Sequence, residues 1–213
     1  FEKHNDMYFI TYTNGTLITK SLSKKLAKLG NVMPAISIEG LEEHTDSRRN
    51  KGIYNKVMQA MENLKEAGVS FGFSVTATPH NYKVLTSHKF FKLIMNKGAS
   101  FGWSFICGPY GHNPTTDLML TPHQRIEYRE GMRKMREKYK FPIADFWNDG
   151  PLAHGCMAAG TKYFHVNAYG EIEPCVFAQF SAGKLQDLYE NGEGINGIMK
   201  LPLFVAIREG QKR

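Results

Sequence analysis

The stretch Leu64-Lys-Glu-Ala-Gly68-Val-Ser-Phe-Gly-Phe-Ser-Val75-Thr-Ala-Thr78 decides how the chain is read. An amphipathic helix runs into a glycine, which closes the last turn in the left-handed conformation, and an apolar, β-rich run begins at the next residue. The same join occurs at Leu26-Ala-Lys-Leu-Gly30 before Pro34-Ala-Ile-Ser-Ile38, and at Leu93-Ile-Met-Asn-Lys-Gly98 before Ala99-Ser-Phe-Gly-Trp-Ser-Phe105. These glycines stand 38 and 30 residues apart, the size of a βα unit. The helix over 53–67 places Ile53, Val57, Ala60, Met61 and Leu64 on one stripe, with Lys56, Gln59, Glu62 and Glu66 opposite. Another helix opens at Thr121-Pro-His-Gln124, with Thr as cap, Pro at the first helical position and Gln closing a capping box. Strands alternating with helices imply a parallel sheet joined by right-handed crossovers.

The two faces of each strand differ. Val69, Phe71, Phe73, Val75 and Ala77 oppose Ser70, Gly72, Ser74, Thr76 and Thr78, and Ala99, Phe101, Trp103 and Phe105 oppose Ser100, Gly102 and Ser104. Ile36 and Ile38 oppose Ala35, Ser37 and Glu39, and Tyr8, Ile10 and Tyr12 oppose Phe9, Thr11 and Thr13. A closed barrel fills its interior with bulky branched side chains. Here the bulky face is expected to pack on the helices and the small polar face to line a cavity for a polar ligand. The fold class expected is therefore α/β, a partial (β/α) barrel. A doubly wound sheet with its Ser and Thr bonded locally fits the pattern as the alternative. After a further strand in Phe141–Trp147 the style changes to a turn and a hairpin, Thr161–Asn167 with Glu171–Cys175. Residues 1–147 read as the partial barrel and 148–213 as a small appended module.

Composition excludes other classes. Of 213 residues 42% are hydrophobic and 22% charged, which rules out disorder, and no stretch approaches the roughly 20 apolar residues of a bilayer helix. Lys and Arg number 27 against 20 Asp and Glu, a net charge of +7. The excess falls on helix faces such as Lys20, Lys24, Lys25 and Lys28, or Arg133, Lys134, Arg136 and Lys138. A solvated face is expected there, with neither nucleic acid nor membrane as partner. Three cysteines are too few for a disulfide framework and suit a reducing, cytoplasmic compartment. The chain begins on Phe1 and runs almost at once into a strand, which reads as a piece of something longer.

Polar groups gather where the strands should end: Thr13-Asn-Gly15, Ser37-Ile-Glu39-Gly40, Thr76-Ala-Thr78-Pro-His-Asn81 and Cys107-Gly-Pro-Tyr-Gly111. Such folds place ligands at the carboxyl ends of their strands. Ser37 and Glu39 share a face and together suit a vicinal diol; equally, Ser37 can bond locally while Glu39 caps the next turn. Arg48 and Arg49 fall in the loop before the long helix, where a guanidinium suits a carboxylate, although a solvated loop arginine satisfies the same pattern. Cys156 and Cys175, each beside Gly or Pro, are joined by the hairpin. Two thiolates are half of an iron–sulfur or zinc shell, which His154 and His165 would complete for zinc. Cys107 is expected to be an inert buried thiol.

Together these segments resemble the radical S-adenosylmethionine (SAM) enzymes, oxidoreductases and maturases, with a carboxy-terminal SPASM or twitch extension. The carrying residues are Tyr12-Thr-Asn-Gly-Thr-Leu-Ile18, Ile36-Ser-Ile-Glu-Gly40, Glu43-His-Thr-Asp-Ser-Arg-Arg49, Lys51-Gly-Ile-Tyr-Asn-Lys-Val57, Leu64-Lys-Glu-Ala-Gly68 and Val75-Thr-Ala-Thr78, followed by Gly155-Cys156 and Gly170-Glu-Ile-Glu-Pro-Cys175. The resemblance implies SAM and a [4Fe-4S] cluster as cofactors, reductive cleavage to a 5′-deoxyadenosyl radical, and hydrogen abstraction from a small-molecule or peptide substrate. A reductant such as flavodoxin or ferredoxin would supply the electron. By position, Ser37 and Glu39 would contact the SAM ribose and Arg48 or Arg49 its carboxylate. Thr76, Thr78 and Asn81 would lie beside the nucleoside, and Cys156 and Cys175 would ligate an auxiliary [4Fe-4S] cluster. The CxxxCxxC loop that holds the radical-generating cluster is absent from these 213 residues, and so, by the resemblance, are the family's first two strands with the glycine-rich strand end that grips the SAM amino group. No catalytic residue is assigned, therefore, and the chain alone is expected not to cleave SAM. A non-catalytic degenerate barrel scaffold and a zinc-stabilised binding module stand as other readings.

Overall fold

A computed structural model describes residues 1–111 and 113–210. Five strands, β1 (Phe9–Thr13), β2 (Val32–Ser37), β3 (Gly72–Ala77), β4 (Phe101–Ile106) and β5 (Ile143–Asp145), pair in chain order, every pair parallel. Between them run α1 (Lys20–Leu29), α2 (Glu42–Arg49), α3 (Ile53–Glu66), α4 (Tyr82–Leu85), α5 (His88–Asn96) and α6 (Pro122–Tyr139). β1 and β5 are the sheet's edges and do not meet, so the barrel is open.

Local chemistry sets the helix ends. Gly30 closes α1 at φ 72°, donating its amide to the Leu26 carbonyl, and Thr121 and Gln124 form the reciprocal capping box that opens α6. The core lies between one sheet face and the helices. Ile36, Phe73, Val75 and Ile143 pack against Val57, Met61 and Leu64 of α3, Phe90 and Ile94 of α5, and Tyr128 and Met132 of α6.

The expectation that every bulky strand face meets the helices holds for β2 and β3 and is reversed for β1 and β4. Gly102 pairs with Phe73, and Ser104 with Val75, so the small residues of β4 are the ones beneath the helices. There the Ser104 hydroxyl meets the Tyr128 hydroxyl at 2.5 Å. Trp103 and Phe105 point to the open face with Tyr12 of β1. The cause is register. Phe71-Gly-Phe-Ser74 and Phe101-Gly-Trp-Ser104 are near copies, but Gly72 pairs with Phe101 and Phe73 with Gly102, an offset of one residue that turns the second copy over. Each glycine makes room for its neighbour's ring: a Cβ on Gly102 would sit 2.6 Å from Phe73, and one on Gly72 2.4 Å from Phe101.

The chain divides into two compact units, Phe1–Asn148 and Asp149–Arg213. The second holds a hairpin, β6 (His165–Val166) with β7 (Ile172–Glu173), and α7 (Leu185–Glu190), α8 (Gly194–Ile198) and α9 (Pro202–Gly210). Its core is Ala159, Ile172, Leu188, Ile198 and Phe204. Polar cross-strand pairs follow one another along the hairpin. Tyr163 Oη lies 2.8 Å from Cys175 Sγ, His165 Nδ1 lies 2.7 Å from Glu173 Oε2, and Asn167 Nδ2 donates to Glu171 at 2.8 Å. The His165 hydrogen bond, then that from Asn167, holds the Glu173 carboxyl below the usual carboxylate range. A depressed carboxyl pKa gives stability that is present above the unfolded value, about 4.3, and lost as pH falls through the folded value. Hydrogen-exchange protection of the Asn167 and Ile172 amides is therefore expected to decline below about pH 4.3 and to be flatter in Glu173→Gln. Equal acid dependence in both proteins would contradict this.

Candidate functional site at the carboxyl ends of the strands

β2 and β3 present hydroxyls on the open face at their carboxyl ends. Ser37 pairs with Ser74, and Thr76, two residues on, shares Ser74's face. Ser37 and Thr76 are half-buried and Ser74 is buried. Aromatic rings flank them. Tyr12 lies 6.2 Å, centroid to centroid, from both Trp103 and Phe105, although β2 and β3 separate their strands. The rings approach because the inward residues between them, Ala35, Gly72 and Ser74, are small. Phe105 continues to Phe146 at 5.4 Å. Partial burial pushes the Tyr12 hydroxyl up to about 12, so it is a neutral donor at physiological pH.

Glu39 follows β2, and its carboxylate is 1% exposed. Arg48 holds Oε2 at 2.7 Å, Arg49 holds Oε1 at 2.6 and 2.8 Å, and the Thr76 amide donates to Oε2 at 3.3 Å. Both arginines lie in the last turn of α2, not in a loop as expected. Glu42 and Glu43 open that helix and the arginines close it, the arrangement its dipole favours. Glu39 is thus engaged by Arg48 and Arg49, and the pair needs no ligand to be satisfied. Asp46 of α2 accepts the Gly52 and Tyr54 amides at 2.6 and 2.7 Å, tying α2 to α3. These bonds hold its carboxyl below the ordinary range.

Thr78 and Asn81 are each 3% exposed and bonded to one another. Asn81 Oδ1 accepts from the Thr78 amide and hydroxyl at 2.7 and 3.1 Å, while Nδ2 donates to the Glu39 and Thr76 carbonyls at 3.1 and 3.0 Å. They brace the ends of β2 and β3. Of the residues expected at the nucleoside or, for the arginines, at the SAM carboxylate, Ser37 and Thr76 face the open side, whereas Glu39, Arg48, Arg49, Thr78 and Asn81 are bonded to one another or to the strand ends.

Cys156 is exposed and Cys175 half-buried. Burial, the hydrogen bond to Cys175 and the charges of both thiols raise the Tyr163 hydroxyl's pKa, so the two cysteines share this neighbour. Among the described residues no group of three or more His, Cys, Asp and Glu could hold a metal ion. The chain's own residues therefore fit neither a radical-generating cluster, which needs three thiolates, nor a complete auxiliary cluster. The four-residue zinc set is not assembled, and His165 is bound to Glu173. Cys107, expected to be buried and inert, is half-buried at the end of β4 and lines a cavity of about 150 Å³ with Tyr110, Arg125 and Trp147. Sequence reading missed this cavity and the aromatic wall; the residues were visible, but their facing depended on register.

An open parallel sheet with polar groups at its carboxyl edge is the arrangement in which (β/α) barrels place their ligands. Residues 2–89 match the model of the radical SAM superfamily. The chain is 25% identical over 201 residues to the AdoMet-dependent heme synthase of Oleidesulfovibrio alaskensis, covering 82% of this chain and 51% of that protein. It is 28% identical over 212 residues to the mycofactocin maturase MftC of Mycolicibacterium smegmatis, covering 93% and 53%. Among solved structures, anSMEcpe with bound AdoMet superposes with a TM-score of 0.68 at 20% identity, over 92% of this chain and 55% of that one. The chain spans about half the length of the curated relatives it matches. Among the described residues no helix is long and apolar enough to cross a membrane.

Proposed function

We propose that this chain forms the nucleoside-binding floor and substrate-facing wall of a cytoplasmic radical SAM enzyme acting on a small molecule or peptide, with a low-potential flavodoxin or ferredoxin as reductant. The observation that carries this reading is the placement of Ser37 and Thr76 hydroxyls on the open face of a parallel sheet, at its carboxyl end, beside Tyr12 and Trp103. Hydroxyls there suit a ribose, and the rings suit a base or an apolar substrate. SAM, when bound together with a reduced cluster, supplies the hydrogen-abstracting radical. In this chain Ser37 and Thr76 would orient the nucleoside, while Glu39, Arg48, Arg49 and Asn81 keep those strand ends in place. The carboxy-terminal unit, with Cys156 and Cys175, is read as a SPASM/twitch-like module contributing two thiols to an auxiliary site.

S-adenosylhomocysteine, which cannot be cleaved to the radical, isolates binding from chemistry. Its affinity for the 213-residue chain is expected to fall about tenfold in Ser37→Ala, the loss of one hydrogen bond of about 1.4 kcal/mol. After iron–sulfide reconstitution the same chain is expected to release no 5′-deoxyadenosine from SAM, because among the described residues three thiolates do not converge. Unchanged affinity in Ser37→Ala rejects the proposed floor; measurable 5′-deoxyadenosine rejects the account of the cluster.

A further inference from the structure

We infer that the cavity at the end of β4 is a subsite that anchors a carboxylate carried on an apolar or aromatic body, and that it belongs to the substrate. It is lined by Ile106, Cys107, Tyr110, Met119, Leu120 and Trp147, with Arg125 at its side, and encloses about 150 Å³, enough for one side-chain-sized group. Three observations carry the assignment. The Tyr110 and Trp147 rings stand parallel, 6.1 Å apart with planes 5° off, so the wall is aromatic. Arg125 is exposed, and its partners are two neutral oxygens at 3.4 Å, Asn148 Oδ1 and the Trp147 carbonyl. Of the nearby carboxylates in sequence and fold, Glu127 accepts from the Tyr82 hydroxyl and Asp145 from the Asn148 side-chain amide. Among the described residues Arg125 is held by neutral acceptors, through Nε and Nη2; Nη1, beside an apolar recess, is left to donate to a carboxylate. Met119 and Leu120 lead directly into α6, whose amino-terminal dipole adds to the positive potential.

The cavity lies at the carboxyl edge of the sheet, one strand along from Thr76, so a carboxylate held there would fix one end of a substrate against the open face. The inference extends the reading above by naming substrate chemistry. Its test needs neither SAM nor cluster, so the two can fail separately. The Trp103→Phe variant leaves Trp147 as the single tryptophan. Titrating this protein with 3-phenylpropionate is expected to quench Trp147 fluorescence saturably, with a dissociation constant of about 1 mM. Adding Arg125→Gln should weaken binding about tenfold. The neutral 3-phenylpropionamide should bind at least as weakly to the arginine protein as the acid does to the glutamine variant, and L-methionine, which carries the cofactor's carboxylate, should not compete. Equal binding of acid and amide, indifference to Arg125→Gln, or absence of saturation by about 20 mM would overturn the subsite. Competition by methionine would overturn its assignment to the substrate.

Discussion

Glu39→Gln is expected to lower the thermal midpoint of the amino-terminal unit by about 6–12 °C, the equivalent of about 3 kcal/mol in a domain of this size. The carboxylate is almost wholly buried, and its two oxygens meet two guanidinium groups and the Thr76 amide. Removing one partner of a buried ion pair leaves the other's charge uncompensated, which costs more than the intact pair contributes. Here the arginines are 37% and 27% exposed, so water takes up part of their charge and the effect falls at the lower end of the buried range. Arg48→Ala or Arg49→Ala alone should cost only about 1 kcal/mol, since the other arginine still serves Glu39. A double-mutant cycle should give the Glu39–Arg49 pair a coupling above about 1 kcal/mol. Because Thr76 hangs from Oε2, Glu39→Gln should also weaken S-adenosylhomocysteine binding, in step with the lost stability. If the substitution abolished binding while the midpoint stayed put, Glu39 would be a direct ligand contact, and the frame described above would be wrong.

Much of this region was legible in the sequence as a set of residues, and less of it as a set of roles. Ser37, Glu39, Arg48, Arg49, Thr76, Thr78 and Asn81 stand out because each follows a strand or faces the next helix, and the fold gathers all seven. What sequence position does not reveal is which polar groups satisfy each other. Glu39 and Arg49 are ten residues apart, and the helix between them, opened by two glutamates and closed by two arginines, brings the guanidinium back over the strand end. Asn81 is 42 residues from the Glu39 carbonyl it holds. Non-local closure of this kind has no local signature. The cysteines show the opposite case: the hairpin between Cys156 and Cys175 was readable from turn residues and alternation, yet the two thiols gather no further ligand among the described residues.

The fold's organisation was readable because the helix, glycine, strand order recurs, and each glycine has the positive φ that a left-handed helix end requires. The direction in which β4 faces was not. Alternation assigns residues to two faces but does not say which face is which; neighbouring strands settle that through register. Phe71–Ser74 and Phe101–Ser104 look alike, and the one-residue offset between them gives them opposite duties. That offset has a measurable energetic signature.

Phe73→Ala should cost about 4 kcal/mol, seen as a fall of about 8–16 °C in the midpoint. The ring is 1% exposed, lies 5.6 Å from Phe90 and 5.9 Å from Phe141, and covers Gly102, so truncation opens a cavity that nothing flexible can refill. Gly102→Ala presses from the other side: its Cβ would lie 2.6 Å from Phe73 Cζ and 3.0 Å from Ile143 Cδ1, and overpacking there should cost about 2 kcal/mol. Gly72→Ala introduces an equally close contact with Phe101, but that ring is only half-buried, on the open face, and can swing aside. Its cost should stay below about 1 kcal/mol beyond the intrinsic change. In the double variant Phe73→Leu with Gly102→Ala, the new methyl enters space the ring has left, so the two losses should fall short of their sum by about 1 kcal/mol or more. Strictly additive losses, or a Gly72→Ala as damaging as Gly102→Ala, would mean that the two glycines are not reciprocal and that the aromatic face of β4 does not look away from the helices.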